Sequence, residues 1–287
     1  MPTRKERILR TESPHPRLPS GLLSCLLTGA LLFSAGCAST PSLSQASPAV
    51  DVLWAAYERA VEDAKYPRPE RISRDLVAIT QAFPDLIWDG AQQRILMVSW
   101  TDGSKFTPGE VKLSRATWLS AVPFLKRFCQ VTGLRGAALE ERLDQRLGLP
   151  PRGSVHDTFV EMWIAPSDLF RPCPDPEIND QECQVNLAAG AAEHGTSCPW
   201  SDAFNQQVSR RFVSVSREHL DWMCKTWASS YPPGQPRRSF PWTALGYTYD
   251  WAPSSSNHIG DSEFVALEGT PVIVLRAVPT AKYCTPD

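Results

Sequence analysis

The feature that most constrains this chain is a set of eight cysteines, at 25, 37, 129, 173, 183, 198, 224 and 284, the first two inside a basic and then apolar leader. Residues 4 to 17 carry Arg4, Lys5, Arg7, Arg10 and Arg17 against Glu6 and Glu12. An uncharged, Leu-rich run follows from 21 to 33, and then come the small residues Ser34, Ala35 and Gly36. That order of charge, apolar run and small residues reads as a secretory signal. The run is thirteen residues long, and a membrane-spanning helix needs roughly 17–25. Cys25 therefore leaves with the leader, and the rest of the chain folds where disulfides persist.

The segment "FSAGC", 33 to 37, resembles the lipobox of bacterial lipoproteins at Ala35, Gly36 and Cys37, and departs from it at Ser34, where that family has Leu. The resemblance implies cleavage before Cys37 and acyl chains on that cysteine. It places the protein in the cell envelope, lipid-anchored, and Ala38 after the cysteine leans towards the outer membrane or its periplasmic face. Two or more acyl chains hold a protein firmly where one does not. The alternative is an ordinary signal cleaved near Ala38.

With Cys25 and Cys37 set aside, six cysteines remain: Cys129, Cys173, Cys183, Cys198, Cys224 and Cys284. An even count in an exported chain implies a disulfide framework, for which six thiols allow fifteen connectivities. The turn-rich ten-residue spacing favours Cys173 with Cys183, a closure contributing about 2–3 kcal/mol in the chain-entropy model. No C-x-x-C pair exists to argue for zinc instead.

Three segments follow from this reading: a signal peptide at 1–36, a polar, Pro-containing tether at 37–50, and a single domain at 51–287. The leader takes five of the 29 basic and two of the 31 acidic residues, which leaves the mature chain at net charge minus five. No Lys/Arg-rich cluster appears, which excludes a nucleic-acid footprint. Ten tryptophans and 42% apolar residues supply a proper core, so the disulfides reinforce the fold rather than replace its core.

Leu53, Ala56, Tyr57, Ala60, Val61 and Ala64 recur at helical spacing and predict a helix over 51–65. "DLVAIT", 75–80, reads as a strand, and "LIWD" with "RILMVSWT" as a hairpin. "EVKLS" reads as a strand, "VPFLKRFCQVTG" as a short helix, and 135–147 as a helix ended by Gly148 and Pro150. After the strand "DTFVEMWIAP" and an irregular region at 166–210, Ser216 is placed to cap a helix over 216–230. The end is strand: "GYTYDW", "SEFVAL" and "PVIVLRAV", the last two joined as a hairpin by Glu268, Gly269 and Thr270. This order predicts an α+β fold with a largely antiparallel sheet, a few packed helices and disulfide bracing.

Four places carry candidate chemistry. In the loop 168–183, Asp175, Glu177, Asn179, Asp180 and Glu182 put five oxygen-bearing side chains within eight residues, a composition that suits calcium. The spacing of Asp175, Glu177 and Asn179 resembles the opening of an EF-hand loop. Asp180 stands where that turn takes glycine, and Asn186 where a bidentate glutamate belongs. A solvated acidic loop with Arg171 as partner is the plainer reading. In 241–257, Tyr247, Tyr249 and Trp251 alternate onto one face of a strand, either as a platform for stacking sugar rings or, the favoured reading, as one side of the core. His258, Asp261 and Glu263, and separately His219 with Glu218 and Asp221, are candidate metal or acid–base groups with no partner at a diagnostic spacing.

"EHGTSCPW", 193–200, has a slight likeness to the cysteine context of L,D-transpeptidases, but the even thiol count gives Cys198 a disulfide instead. "FVEMWIAPSDLFRPCPDPEINDQEC", "FPWTALGYTYDW" and "DSEFV" are similar to segments of bacterial secreted proteins, cyanobacterial ones among them, that carry no known activity. The serine-hydrolase elbow G-x-S-x-G, the zinc helix H-E-x-x-H and the phosphate loop are absent. The expectation is an envelope lipoprotein with a non-catalytic binding or structural role towards a partner protein or glycan, without a cofactor. The alternative is an envelope hydrolase of glycan or peptide using the 175–182 acids or His219.

Overall fold

A computed structural model describes residues 48–103, 106–151, 156–183, 198–199 and 216–286. The signal segment, Cys37, the tether as far as residue 47, and His194 and Gly195 lie outside the described residues. All described residues belong to one unit. Among them no helix is long and apolar enough to cross a membrane.

Helix α1 (Pro48–Ala64) begins three residues before its expected start. It buries Tyr57, Ala60, Val61 and Ala64, the stripe that the three- and four-residue spacing marks. Eight strands follow: β1 (Ile95–Thr101), β2 (Gly109–Lys112), β3 (Thr117–Ala121), β4 (Thr158–Ile164), β5 (Tyr247–Tyr249), β6 (Ile259–Ser262), β7 (Phe264–Ala266) and β8 (Pro271–Pro279). Six of them form one sheet in the order β2-β8-β4-β1-β3-β7, and β5 pairs with β6 in a second. Every named pairing is antiparallel. The fold is α+β.

The centre of the sheet is buried on both faces, so β1 reads as a nearly continuous apolar run rather than an alternation. Ile95 and Met97 face one core with Val160, Met162 and Ile164, which Val77, Ile79, Leu113 and Leu169 cover. Leu96, Val98 and Trp100 face the other, under α2 (Phe124–Val131), α3 (Gly136–Arg146) and the C-terminal turn α5 (Thr280–Tyr283). Leu139 and Leu143 of α3 and Leu125 and Cys129 of α2 fill this second core. A third packs α1 against α4 (Arg217–Ser230) through Tyr57, Val61, Met223, Trp227 and Tyr231. Ser216 caps α4 by accepting from the His219 amide at 3.1 Å.

The six thiols pair as Cys129–Cys284, Cys173–Cys183 and Cys198–Cys224. The first closes 155 residues, which gives about 4–5 kcal/mol in the chain-entropy model. It also ties α2 to α5 within the second core.

Three expected elements differ. "DLVAIT" is buried but joins no sheet: the Leu76 and Ile79 amides donate to the Gln181 and Ile178 carbonyls, and the Val77 amide to Ser262 Oγ. The hairpin before β1 shrinks to a single bridge, Trp88 to Ile95. The turn at 268–270 forms, yet β7 and β8 do not pair with each other. β7 lies beside β3 at one edge, while β8 lies between β2 and β4. The Gly269 amide and the Thr270 carbonyl bond instead to the backbone of Leu113.

Candidate functional site

The aromatic strip is one side of the core, the reading its sequence favoured over a sugar platform. Tyr247, Tyr249 and Trp251 are all buried, so they offer no flat face to solvent. Their polar ends are satisfied inside: the Tyr247 hydroxyl donates to the Arg71 carbonyl at 2.7 Å, Tyr249 to Asp63 Oδ2 at 2.6 Å, and the Trp251 indole to the Leu149 carbonyl at 3.0 Å. A stacked sugar would need these rings exposed.

The groups of "NHIGDSEF" do not converge on a metal. Asp261 is paired with Arg146 at 2.9 Å, and His258 Nδ1 bonds the Asp250 carbonyl at 2.9 Å while its ring stacks on Tyr249. Arg142 grips Asp250 with two bonds of 3.0 and 2.7 Å. These arginines, both over the Phe128 ring, lock α3 onto the β5–β6 pair. His219 is likewise structural: its Nε2 donates to the Cys173 carbonyl at 2.8 Å, and burial pushes its pKa down.

In the acidic loop, Asp175, Glu177 and Asp180 bring one carboxylate oxygen each within 4.8 Å of one another. The same loop is built around Arg171, which has no exposed surface. Arg171 does not extend to a surface acid as expected. It donates to the Glu177, Asp180 and Val77 carbonyls at 3.1, 2.9 and 3.3 Å and lies over the Phe264 ring. Burial lowers its pKa, and the nearby Asp180, Asp175 and Glu177 charges oppose that. The loop thus carries its own cation. Gly246 makes room for it, since a Cβ there would lie 2.6 Å from Arg171 Cδ at a φ of +77°.

The distinctive site lies elsewhere. At the β3–β7 edge the sheet face that carries Val98 and Trp100 is not fully covered by helices, and a cleft of about 630 Å³ opens there. Antiparallel register builds its floor. Val98 pairs with Ser120 and Trp118 with Val265, so Trp118 and Ser120 project to one face. One step beyond the Leu119–Phe264 pair, Glu263 comes beside Ser120 on that face. Helix α4 supplies Trp222, Thr226 and Ser230 as one wall, and Phe240 and Trp242 continue it.

Trp118 at the rim, half-buried Trp222 and buried Trp242 form a triangle with all three centroid separations at 6.1 Å, so Trp118 and Trp222 offer the accessible faces and Trp242 backs them from the core. Phe170 meets Trp222 edge-on at 4.8 Å and fixes its plane. Trp118 and Phe240 are 37% and 44% exposed, which is how the cleft presents aromatic surface at its rim. Glu263 is the only carboxylate among the described residues lining it. As a residue it is half-buried, but its Oε2 is enclosed without a hydrogen-bond partner. Burial, with Asp261 adding repulsion, pushes its pKa up to about 8. His156, also in the lining, is held neutral by burial and then by Arg115.

Sequence reasoning weighed Glu263 only as a metal ligand and missed the three tryptophans. One local signal was present: Trp222 lies off the buried α4 stripe of Leu220, Met223 and Trp227, and packs at the margin of that core only partly buried. Trp118, Trp242 and Glu263 come from separate elements and share no spacing. No protein-family model, curated protein or solved structure matches the chain.

Proposed function

We propose that this chain is an exported cell-envelope lipoprotein, anchored through acyl chains on Cys37, whose α+β domain holds a glycan non-catalytically in the tryptophan-lined cleft. The observation that carries the reading is the cleft itself: three indoles and an exposed phenylalanine around one carboxyl group and the hydroxyls of Ser120, Thr226 and Ser230. Aromatic faces cover the apolar side of a sugar ring, while polar groups at the edge meet its hydroxyls. Complete pairing of the six remaining thiols supports an oxidising compartment.

A hydrolase reading draws support from Glu263, because a carboxyl with a raised pKa suits a general acid. Glycoside hydrolysis ordinarily uses a second carboxylate across the scissile bond. Glu263 stands alone in the described lining, and that favours binding.

The test is calorimetric titration of the mature domain with soluble glycan strands released from bacterial cell wall. Saturable binding that Trp118→Ala abolishes without lowering the melting temperature supports the reading. Absence of binding, or binding indifferent to Trp118, refutes it. Intact-mass measurement of the native protein tests the anchor: diacyl- or triacyl-Cys37 is expected at the N-terminus, and an unmodified N-terminus overturns it.

A further inference from the structure

We infer that the sugar taken by this cleft carries a free, protonated amine, with Glu263 as its counter-ion and the indoles of Trp118, Trp222 and Trp242 around it. The inference rests on the glycan reading and specifies the ligand's chemistry.

An enclosed carboxyl oxygen without a partner is costly to leave unmatched. No cation among the described residues is hydrogen-bonded to it. Arg146, at the end of α3, is already joined to Asp261. Arg171 lies under the other core with its carbonyls. The three other titratable groups lining the cleft are His156, whose pKa burial lowers, Tyr249, whose hydroxyl donates to Asp63, and Arg115, exposed on the segment leading into β3. Asp261, on β6, is the charge that disfavours ionisation of Glu263, and Tyr231, just beyond α4, is a neutral phenol whose own ionisation the Glu263 charge opposes. A ligand that brings its own positive charge supplies what the protein lacks. The same charge is attracted by the negative faces of tryptophan rings, which surround cations in ammonium-binding sites. A neutral sugar would leave the carboxyl as it is in the free protein.

In proton terms, the free cleft at neutral pH holds Glu263 protonated. Docking an ammonium group expels that proton to solvent and leaves a carboxylate–ammonium pair, so binding releases roughly one proton at neutral pH.

A matched ligand pair tests this on the wild-type domain: oligosaccharides of glucosamine, with free amines, and of N-acetylglucosamine, with the same rings and no charge. The expected result is at least about tenfold tighter binding of the free amine, the scale of a charge-assisted hydrogen bond. Glu263→Gln should erase that preference, and calorimetry in buffers of different ionisation enthalpy should report proton release for the amine alone. If the acetylated sugar binds equally or better and Glu263→Gln changes nothing, the inference is overturned while the glycan reading stands. If neither sugar binds and cell-wall strands fail as well, the glycan reading itself is wrong.

Discussion

Replacing Arg171 by methionine tests how the acidic loop is held. The guanidinium donates to three carbonyls, buried at Val77 and partly buried at Glu177 and Asp180, and each left bare costs up to about 1–3 kcal/mol. Against that sum stands the relief of no longer burying a guanidinium whose Nη1 has no partner. Methionine also fills much of the volume over Phe264. The net loss expected is about 3–5 kcal/mol, the range for breaking a buried charge constellation from one side. In a domain of this size it corresponds to a fall in Tm of roughly 6–20 °C. Urea unfolding followed by tryptophan fluorescence, with the disulfides oxidised, measures it directly. A variant within about 1 kcal/mol of wild type would refute the reasoning. The same experiment addresses calcium: since Arg171 is the loop's cation, EDTA should leave the wild-type Tm unmoved. A fall on chelation would mean that Asp175, Glu177 and Asp180 hold an ion.

Glu263 makes stability depend on pH. Its folded pKa, raised from 4.5 to about 8, means the folded state keeps a proton that the unfolded state has lost between those values. Its contribution is therefore full below pH 4.5 and is lost as pH rises through 8, by at most about 1.4 kcal/mol per pH unit. Glu263→Gln should flatten that slope in urea melts across the interval, and an unchanged slope would place the proton elsewhere. Replacing Cys129 and Cys284 together by serine should cost about 4–5 kcal/mol in the same melts, because the closed loop is long; a loss under about 1 kcal/mol would contradict it. Gly260→Ala places a Cβ at 2.0 Å from Thr248 Oγ1, 2.4 Å from the Thr248 carbonyl and 2.5 Å from that of Arg146. Two of the three are backbone, so the variant should lose at least about 3 kcal/mol or fail to fold, and near-wild-type stability would show that β5 and β6 can separate.

Local patterns were legible where a single element decides them. The stripe of α1, the Leu139 and Leu143 face of α3, the Ser216 cap and the short Cys173–Cys183 closure are all set within a few residues. What the chain hides is pairing between distant strands. The turn at 268–270 has the residues of a hairpin, but the two strands it joins satisfy their backbones against β3, β2 and β4, far away in sequence. Residues 75–80 are apolar enough for a strand, yet the Leu76 and Ile79 amides are taken by the loop that Arg171 organises and the Val77 amide by Ser262. Residues 241–252 are buried throughout, so alternation there marks two buried faces rather than a wet one and a dry one. The cleft is less legible still. Its tryptophans and Glu263 meet only once β3, α4, the 240–242 segment and β7 are assembled.

The most direct measurement of the central claim is a titration of the indole N–H resonances of the ten tryptophans with soluble cell-wall glycan strands. The account predicts that Trp118, Trp222 and Trp242 shift together and saturably while Trp54, Trp88 and Trp163 stay in place. Shifts confined to the second set, or none at all, would contradict it.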